Sequence, residues 1–239
     1  MMGEGVSGGK KLSDYLFYHE PGPPSITIYK GDCVEVMKLL PKVDIVITDP
    51  PYGEETHSGA RTGESGDELL VTFDSQTAEQ TEQQFEQFVE IANRWVIATI
   101  EWRHMLALSK RDWFIRFGVW VKPNWMPQYT GDRPGTGWEA VAICHRPGKK
   151  VWNGGGRLAV WNYPKVHGFH PTGKPLPLIK SWLVDFSNEG DTILDPFGGS
   201  GTTAVACKDL KRNCIMVEKE EAYCQIAVNR LKNTIVPMF

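Results

Sequence analysis

Asp49, Pro50, Pro51 and Tyr52 directly follow an apolar run in the stretch DIVITDPPYGEE, residues 44 to 55. Two adjacent prolines remove two backbone donors and fix two φ angles, and each pushes the residue before it into extended conformations. The turn therefore holds the Asp49 carboxylate and the Pro50 carbonyl at a fixed separation, with the ring of Tyr52 just beyond. Two rigid acceptors beside an aromatic suit a flat, hydrogen-donating group that can stack on the ring. The plainer alternatives are a turn acid bonding its own backbone for Asp49 and an ordinary half-buried aromatic for Tyr52.

A second stretch with chemical potential is LDPFGGSGTTA, opened by Asp195. Gly199, Gly201 and Ala204 satisfy the GxGxxA spacing of a nucleotide-binding turn. Glycines there let backbone approach a ligand, and the start of the next helix offers free N–H groups. Thr202 and Thr203 also suit plain helix caps. Glu218 follows at the end of the next strand, placed to accept hydrogen bonds from ribose hydroxyls. The pair of features points to an adenosine-containing cofactor. A P-loop is excluded because no lysine stands between the glycines and the threonines. An NAD enzyme stays open on this motif alone. Against it, the unit lies near the C-terminus, and hydride transfer has no use for an Asp-Pro-Pro-Tyr turn.

The elements that must position these residues can be read from apolar patterning. ITIY (26 to 29) is a strand, GDCVEVMKLLP a short helix, and VDIVIT a strand without polar alternation, covered on both faces as in a parallel sheet. Residues 53 to 77 open Gly-rich and polar and read as a loop. A helix is expected over 78–93, a strand in RWVIATI, a helix over 101–110, and long strands in WFIRFGVWVK and WEAVAICHR. A helix runs through PLPLIKSWLVDFS, followed by strand 191–195, helix 202–210, strand 213–218 and helix 220–232. Strands alternating with helices imply a mostly parallel sheet wound on both faces.

The 239 residues are 41% hydrophobic, enough for one sizeable core, and the longest apolar runs fall far short of the roughly 20 residues that cross a bilayer. The N-terminal residues are Gly-rich and polar, with no apolar signal segment, and 1–24 reads as a flexible tail. Five scattered cysteines form no CxxC pair, which argues against a metal site and suits reduced thiols in the cytoplasm. Net charge is −3, yet residues 103 to 180 hold thirteen Lys or Arg against three acids, interleaved with Trp120, Trp125, Trp138, Trp152 and Trp161. A basic, aromatic middle suits a phosphate-backbone partner. The alternative is a solvated basic surface over core tryptophans.

Four features together resemble the β-class DNA amino-methyltransferases that use S-adenosyl-L-methionine. They are DPPY (Asp49 to Tyr52), HPTGKP (His170 to Pro175), FGGSG (Phe197 to Gly201) and the acidic strand end at Glu218. Their order is similar to that class, and ITIYKGDCVEVMKLLPKVDIVITDPPY resembles it closely, through Asp32 and the catalytic strand. The likeness spans about residues 26 to 53, 112 to 146 and 167 to 232. It implies an α/β, Rossmann-like class I methyltransferase fold: seven mostly parallel strands with one reversed, a circularly permuted motif order, and a small inserted target-recognition region. The methyltransferase domain is then 25–239, with recognition loops at about 54–77, 123–137 and 147–165.

The resemblance implies catalytic roles for Asp49, Pro50, Pro51 and Tyr52. It places Asp195, Phe197, Gly199, Ser200, Gly201 and Thr202 in the turn around the cofactor, Glu218 on its ribose and Asp32 on its adenine amine. Asp32 also suits a helix N-cap, and the two roles are compatible. His170, Pro171, Thr172 and Lys174 close around the methionine end; the family usually has Gln where this chain has Gly173, which removes one polar contact.

The implied chemistry is consistent. An exocyclic base amine is a poor nucleophile because its lone pair is delocalised into the ring. Acceptors at Asp49 and Pro50 favour a tetrahedral nitrogen, and in-line positioning of two reactants is worth roughly 7–11 kcal/mol. The base must be flipped out of a duplex to be reached, and Tyr52 would stack on it. No covalent step is required, and no cysteine follows a proline as the cytosine-ring nucleophile would.

In the family that the chain resembles, Asp at the first motif position accompanies adenine more often and Ser accompanies cytosine amines, so the resemblance implies adenine N6 over cytosine N4. Double-stranded DNA is the expected partner, with Arg133, Lys149, Lys150, Arg157 and Lys165 as contacts. A homodimer and a cognate restriction nuclease stay open as further partners, and no metal or membrane is implied. A catalytically silent DNA-binding relative, and methylation of RNA or of a protein amide, are the competing functions.

Overall fold

The computed structural model of the chain describes residues 10–51, 76–125, 131–166 and 173–234. The apolar runs become strands β1 (Leu16–Glu20), β2 (Ile26–Lys30), β3 (Ile45–Thr48), β4 (Trp95–Ile100), β5 (Phe114–Val121), β6 (Trp138–His145), β7 (Val160–Asn162), β8 (Thr192–Asp195) and β9 (Asn213–Glu218). They form one sheet in the order β1-β2-β9-β8-β3-β4-β6-β5-β7. Every residue of β3 and β4 is buried, and the two pair in parallel, as runs of Ile and Val covered on both faces should. β6 runs antiparallel to both β4 and β5.

Helices α1 (Cys33–Met37), α2 (Ala78–Ile91), α3 (Met105–Leu108), α4 (Leu176–Phe186), α5 (Thr202–Asp209) and α6 (Glu221–Lys232) are the α-helices among the described residues. The strand period of two sorts the core into two layers. Ile45 and Ile47 pack with Leu178, Trp182 and Ala204 of α4 and α5 on one face, while Val46 packs with Met37, Phe85 and Phe88 of α1 and α2 on the other. Thr77 begins α2 in a capping box: Thr77 Oγ1 accepts from Gln80 N–H at 3.2 Å, and Gln80 Oε1 accepts from Thr77 N–H at 2.8 Å.

The expected seven-stranded arrangement with one reversed strand runs from β2 to β5 in this sheet, and a further strand joins at each edge. On one side, part of the tail expected over 1–24 is ordered instead. Leu12–Tyr15 form a 3₁₀ turn and β1 pairs antiparallel with β2. Two polar links fasten this segment: Tyr15 donates to Glu35 at 2.7 Å, and buried Lys208 pairs with Glu20 at 2.6 Å. On the other side, β7 lies inside the segment 147–165 expected as loop and pairs in parallel with β5. Its one buried residue, Trp161, meets Trp182 edge-on at 5.6 Å. Room for that indole comes from Gly118, where a Cβ would fall 2.4 Å from the ring. Both edge strands escape periodicity because little of either is buried; pairing to a neighbour holds them. The helix expected over 101–110 is a 3₁₀ turn at Trp102–His104 and the short α3. Among the described residues no helix is long and apolar enough to cross a membrane.

From β3 the chain passes through α2 to β4 on one side, and from β8 it passes through α5 to β9 on the other. The strand order therefore reverses between β8 and β3. At such a switch point the carboxyl ends of neighbouring strands open a crevice where ligands bind in α/β sheets.

Candidate active site

Asp49 leaves the carboxyl end of β3 beside that crevice, followed by buried Pro50 and half-buried Pro51. Its carboxylate is held from two directions. Thr99 of β4, one residue past the Thr48–Ala98 pair in register, donates its hydroxyl to Oδ1. The ammonium of Lys174, just before α4, lies 2.6 Å from Oδ2. The same ammonium lies 3.2 Å from Glu139 Oε2 on β6, and Lys122 at the end of β5 lies 2.8 Å from Glu139 Oε1. Lys174 and Lys122 keep only 8% and 5% of their side-chain surface exposed. Burial works against the Glu139 charge, but Lys174 and then Lys122 overrule it and hold its carboxyl down to about 2. Burial likewise opposes the Lys174 charge, and Asp49 and Glu139 together raise it above 10.5. The indole of Trp120 lies beneath both ammoniums, 5.3 Å from Lys122 and 5.7 Å from Lys174.

One strand away, the glycine turn follows β8. Thr48 donates to Asp195 Oδ1 at 2.7 Å, which ties the two strand ends together, and Phe197 N–H donates to the same oxygen at 3.1 Å. Asp195 is buried, and burial pushes its carboxyl up to about 6, against hydrogen bonds from Thr203, Thr48 and Phe197. Gly201 has φ +81°, and a Cβ there would lie 2.6 Å from that of Ala227, so both conformation and α6 packing demand glycine. Gly199 has φ +50° and faces open space. Its N–H donates to Glu218 Oε2 at 2.8 Å, and Glu220 N–H donates to Oε1 at 2.8 Å. Burial raises the Glu218 carboxyl above its ordinary value. Asp32 caps α1, accepting from Val34 N–H at 2.9 Å and Glu35 N–H at 3.2 Å.

The structure brings Asp49, Asp195, the glycine turn and Glu218 to one end of the sheet. Lys174 sits on Asp49 and Glu139. Ser200 and Thr202 are engaged by Arg230 of α6, whose Nη1 donates to the Ser200 carbonyl at 2.7 Å, the Ser200 hydroxyl at 3.0 Å and the Thr202 hydroxyl at 3.2 Å. Of the expected DNA contacts, Arg157 pairs with buried Asp185 and Arg133 with its neighbour Asp132. Lys149 and Lys150 are exposed, and Lys165 lies over Trp125 at 5.0 Å. Tyr52, His170, Pro171 and Thr172 lie outside the described residues.

Sequence reasoning missed Thr99, Glu139, Lys122 and Arg230. Glu139 carried a signal, as one of three acids in a stretch of thirteen cations. An acid so placed, on a strand of mostly apolar residues, marks a compensated charge.

The Rossmann-like, mostly parallel sheet is the fold of class I DNA methyltransferases. A crystal structure of M1.HpyAVI in complex with S-adenosylmethionine superposes with a TM-score of 0.65 at 28% identity, covering 86% of this chain and 100% of that one. The cytosine-N4-specific PvuII DNA methyltransferase superposes with a TM-score of 0.66 over 86% of each chain, and at 14% identity it shows the fold alone. A family profile described as DNA methylase matches residues 43–229, and the chain belongs to this N6/N4 family of S-adenosylmethionine-dependent DNA amino-methyltransferases.

The type II methyltransferase M.HinfI of Haemophilus influenzae is 27% identical over 245 residues, 86% of this chain and 68% of that protein. The type II methyltransferase M.Cfr9I of Citrobacter freundii is 34% identical over 148 residues, 56% of this chain and 49% of that protein. The latter match thus spans about half of the relative's length.

The residues present fit S-adenosylmethionine. Gly199 leaves open the side that a Cβ would occupy, and Glu218 and Asp32 stand as carboxylates at the ends of the adjoining strands β9 and β2.

Proposed function

We propose that the protein methylates the N6 amine of adenine in double-stranded DNA, at a base flipped out of the helix. The observation that carries this is the placement of Asp49. It stands at the carboxyl end of β3, braced by Thr99 and Lys174, one strand from the glycine turn and joined to it through Thr48 and Asp195. S-adenosylmethionine, when bound, supplies an electrophilic sulfonium methyl. Gly199, Gly201, Glu218 and Asp32 would hold it, with Asp195 fixing the shape of the turn from within. His170, Pro171 and Thr172 are assigned to its methionine end by resemblance.

The work of the chain itself is orientation. Asp49 and the Pro50 carbonyl accept hydrogen bonds from the target amine and localise its lone pair, while Tyr52 stacks on the base. Thr99 and Lys174 restrict the rotation of the Asp49 carboxylate, so the acceptor is aimed before the base arrives. Adenine is supported by aspartate, rather than serine, at the head of the turn. Lys149, Lys150 and Lys165 are proposed as phosphate contacts, with Arg133 and Arg157, each more than half exposed beside its aspartate, as further DNA contacts.

Incubation with unmethylated DNA and methyl-labelled S-adenosylmethionine, followed by digestion to nucleosides, tests the reading. Label is expected in methyl-deoxyadenosine; label in methyl-deoxycytidine moves the assignment to cytosine N4, and no label overturns it. Asp49→Ala should abolish transfer while DNA binding persists, and full activity in that variant would refute the role given to Asp49.

A further inference from the structure

Asp49, Lys174, Glu139 and Lys122 form a row of charges that alternate in sign, with contacts of 2.6, 3.2 and 2.8 Å along it. Sheet register builds the inner half of the row. Glu139 stands opposite Trp120 across the β5–β6 ladder, and Lys122 follows Trp120 by two residues, the diagonal position of an antiparallel pair. Lys174 comes from a different part of the chain and enters between the two carboxylates. At 8% exposure its ammonium has little water to share its charge, so its field falls on the carboxylates beside it.

That division matters for Asp49. A carboxylate whose lone pairs and charge are drawn to a buried ammonium is a weaker acceptor for a further donor. With Glu139 in place, Lys174 is pulled from two sides. Without Glu139 a larger share of that attraction would fall on Asp49, and the ammonium would lose one of the contacts that fix its place.

We propose that Glu139 is a positioning residue for methyl transfer, acting through Lys174: it holds the ammonium between two carboxylates, so that Asp49 retains its aim and its strength as an acceptor for the target amine. This rests on the role proposed for Asp49. Lys122, on the far side, keeps Glu139 ionised and sets how much of it is left for Lys174.

The test is Glu139→Gln, which keeps the shape and removes the charge, beside Glu139→Asp, which keeps the charge. With the full chain and saturating S-adenosylmethionine and DNA, the single-turnover rate of the glutamine variant should fall on the order of 100-fold. Affinities for both should stay within about threefold, because the effect is confined to the chemical step. The aspartate variant should recover part of the rate.

The proposal is overturned if the glutamine variant turns over at the wild-type rate. It is equally overturned if binding weakens in step with the rate, or if aspartate is no better than glutamine. If the glutamine variant does not fold, Glu139→Asp decides alone: its shorter reach should lower the single-turnover rate while both affinities hold, and a wild-type rate would overturn the proposal. A wild-type protein that labels no DNA would instead refute the reading of Asp49, a separate outcome.

Discussion

Lys174→Met removes the charge between Asp49 and Glu139 while keeping most of the side-chain volume. The Lys174 side chain is 8% exposed, and those of Asp49 and Glu139, whose carboxylates it touches, are 26% and 22% exposed. Deleting one partner of a buried ion pair costs about 3–5 kcal/mol, and the partial exposure of the carboxylates places this case near the lower end, about 3 kcal/mol. For a domain of this size each kcal/mol shifts Tm by roughly 2–4 °C, so a loss of roughly 10 °C is expected.

The sign of the pH dependence follows from what remains. Glu139 then keeps Lys122 but loses the cation that does most to hold its carboxyl down, so burial raises that carboxyl in the folded variant. The folded variant then binds more protons than its unfolded chain, and its stability falls as pH rises. The deficit relative to wild type should therefore be smaller at pH 5 than at pH 8, by about 1.4 kcal/mol for each unit the carboxyl has been raised. Urea unfolding at both pH values, with a common slope, measures it. A deficit below about 1 kcal/mol at pH 8, or one that is equal at the two pH values, would refute the idea that Lys174 compensates this pair.

Two other substitutions probe the glycine turn. Asp195 has its carboxyl raised by burial from 3.8 to about 6, so its contribution to stability is complete below pH 3.8 and is lost as pH rises through 6, a loss of about 3 kcal/mol; Asp195→Asn should flatten that part of the stability curve in urea titrations between pH 4 and 7. Gly201→Ala meets both a left-handed φ and Ala227, and should cost about 1–3 kcal/mol and weaken S-adenosylmethionine binding measured by calorimetry.

Much of the frame was legible because short-range rules write it. The unbroken apolar runs of β3 and β4 announce strands buried on both faces. GxGxxA announces a tight glycine turn between a strand and a helix, and the prolines after Asp49 announce a stiff one. In each case sterics and periodicity act within a few residues, and the sequence alone determines them. It also determined the family, since four such motifs stand in one order.

What surrounds Asp49 was decided by tertiary structure. Thr99, Lys174 and Glu139 come from three separate stretches, and their meeting depends on β4 lying beside β3 and on β6 entering antiparallel between β4 and β5. Lys174 is assigned to the cofactor on resemblance, and only the fold sets its buried side chain against the two carboxylates that compensate its charge. Arg157 is expected as a DNA contact because it is basic and lies in a loop, and only the fold supplies buried Asp185 beside its exposed guanidinium. The edge strands β1 and β7 gain their hydrogen bonds from neighbours distant in sequence, so nothing in LFYHE or VWN could announce them. Charge compensation and strand pairing are long-range in the chain, and only the folded sheet chooses the partners.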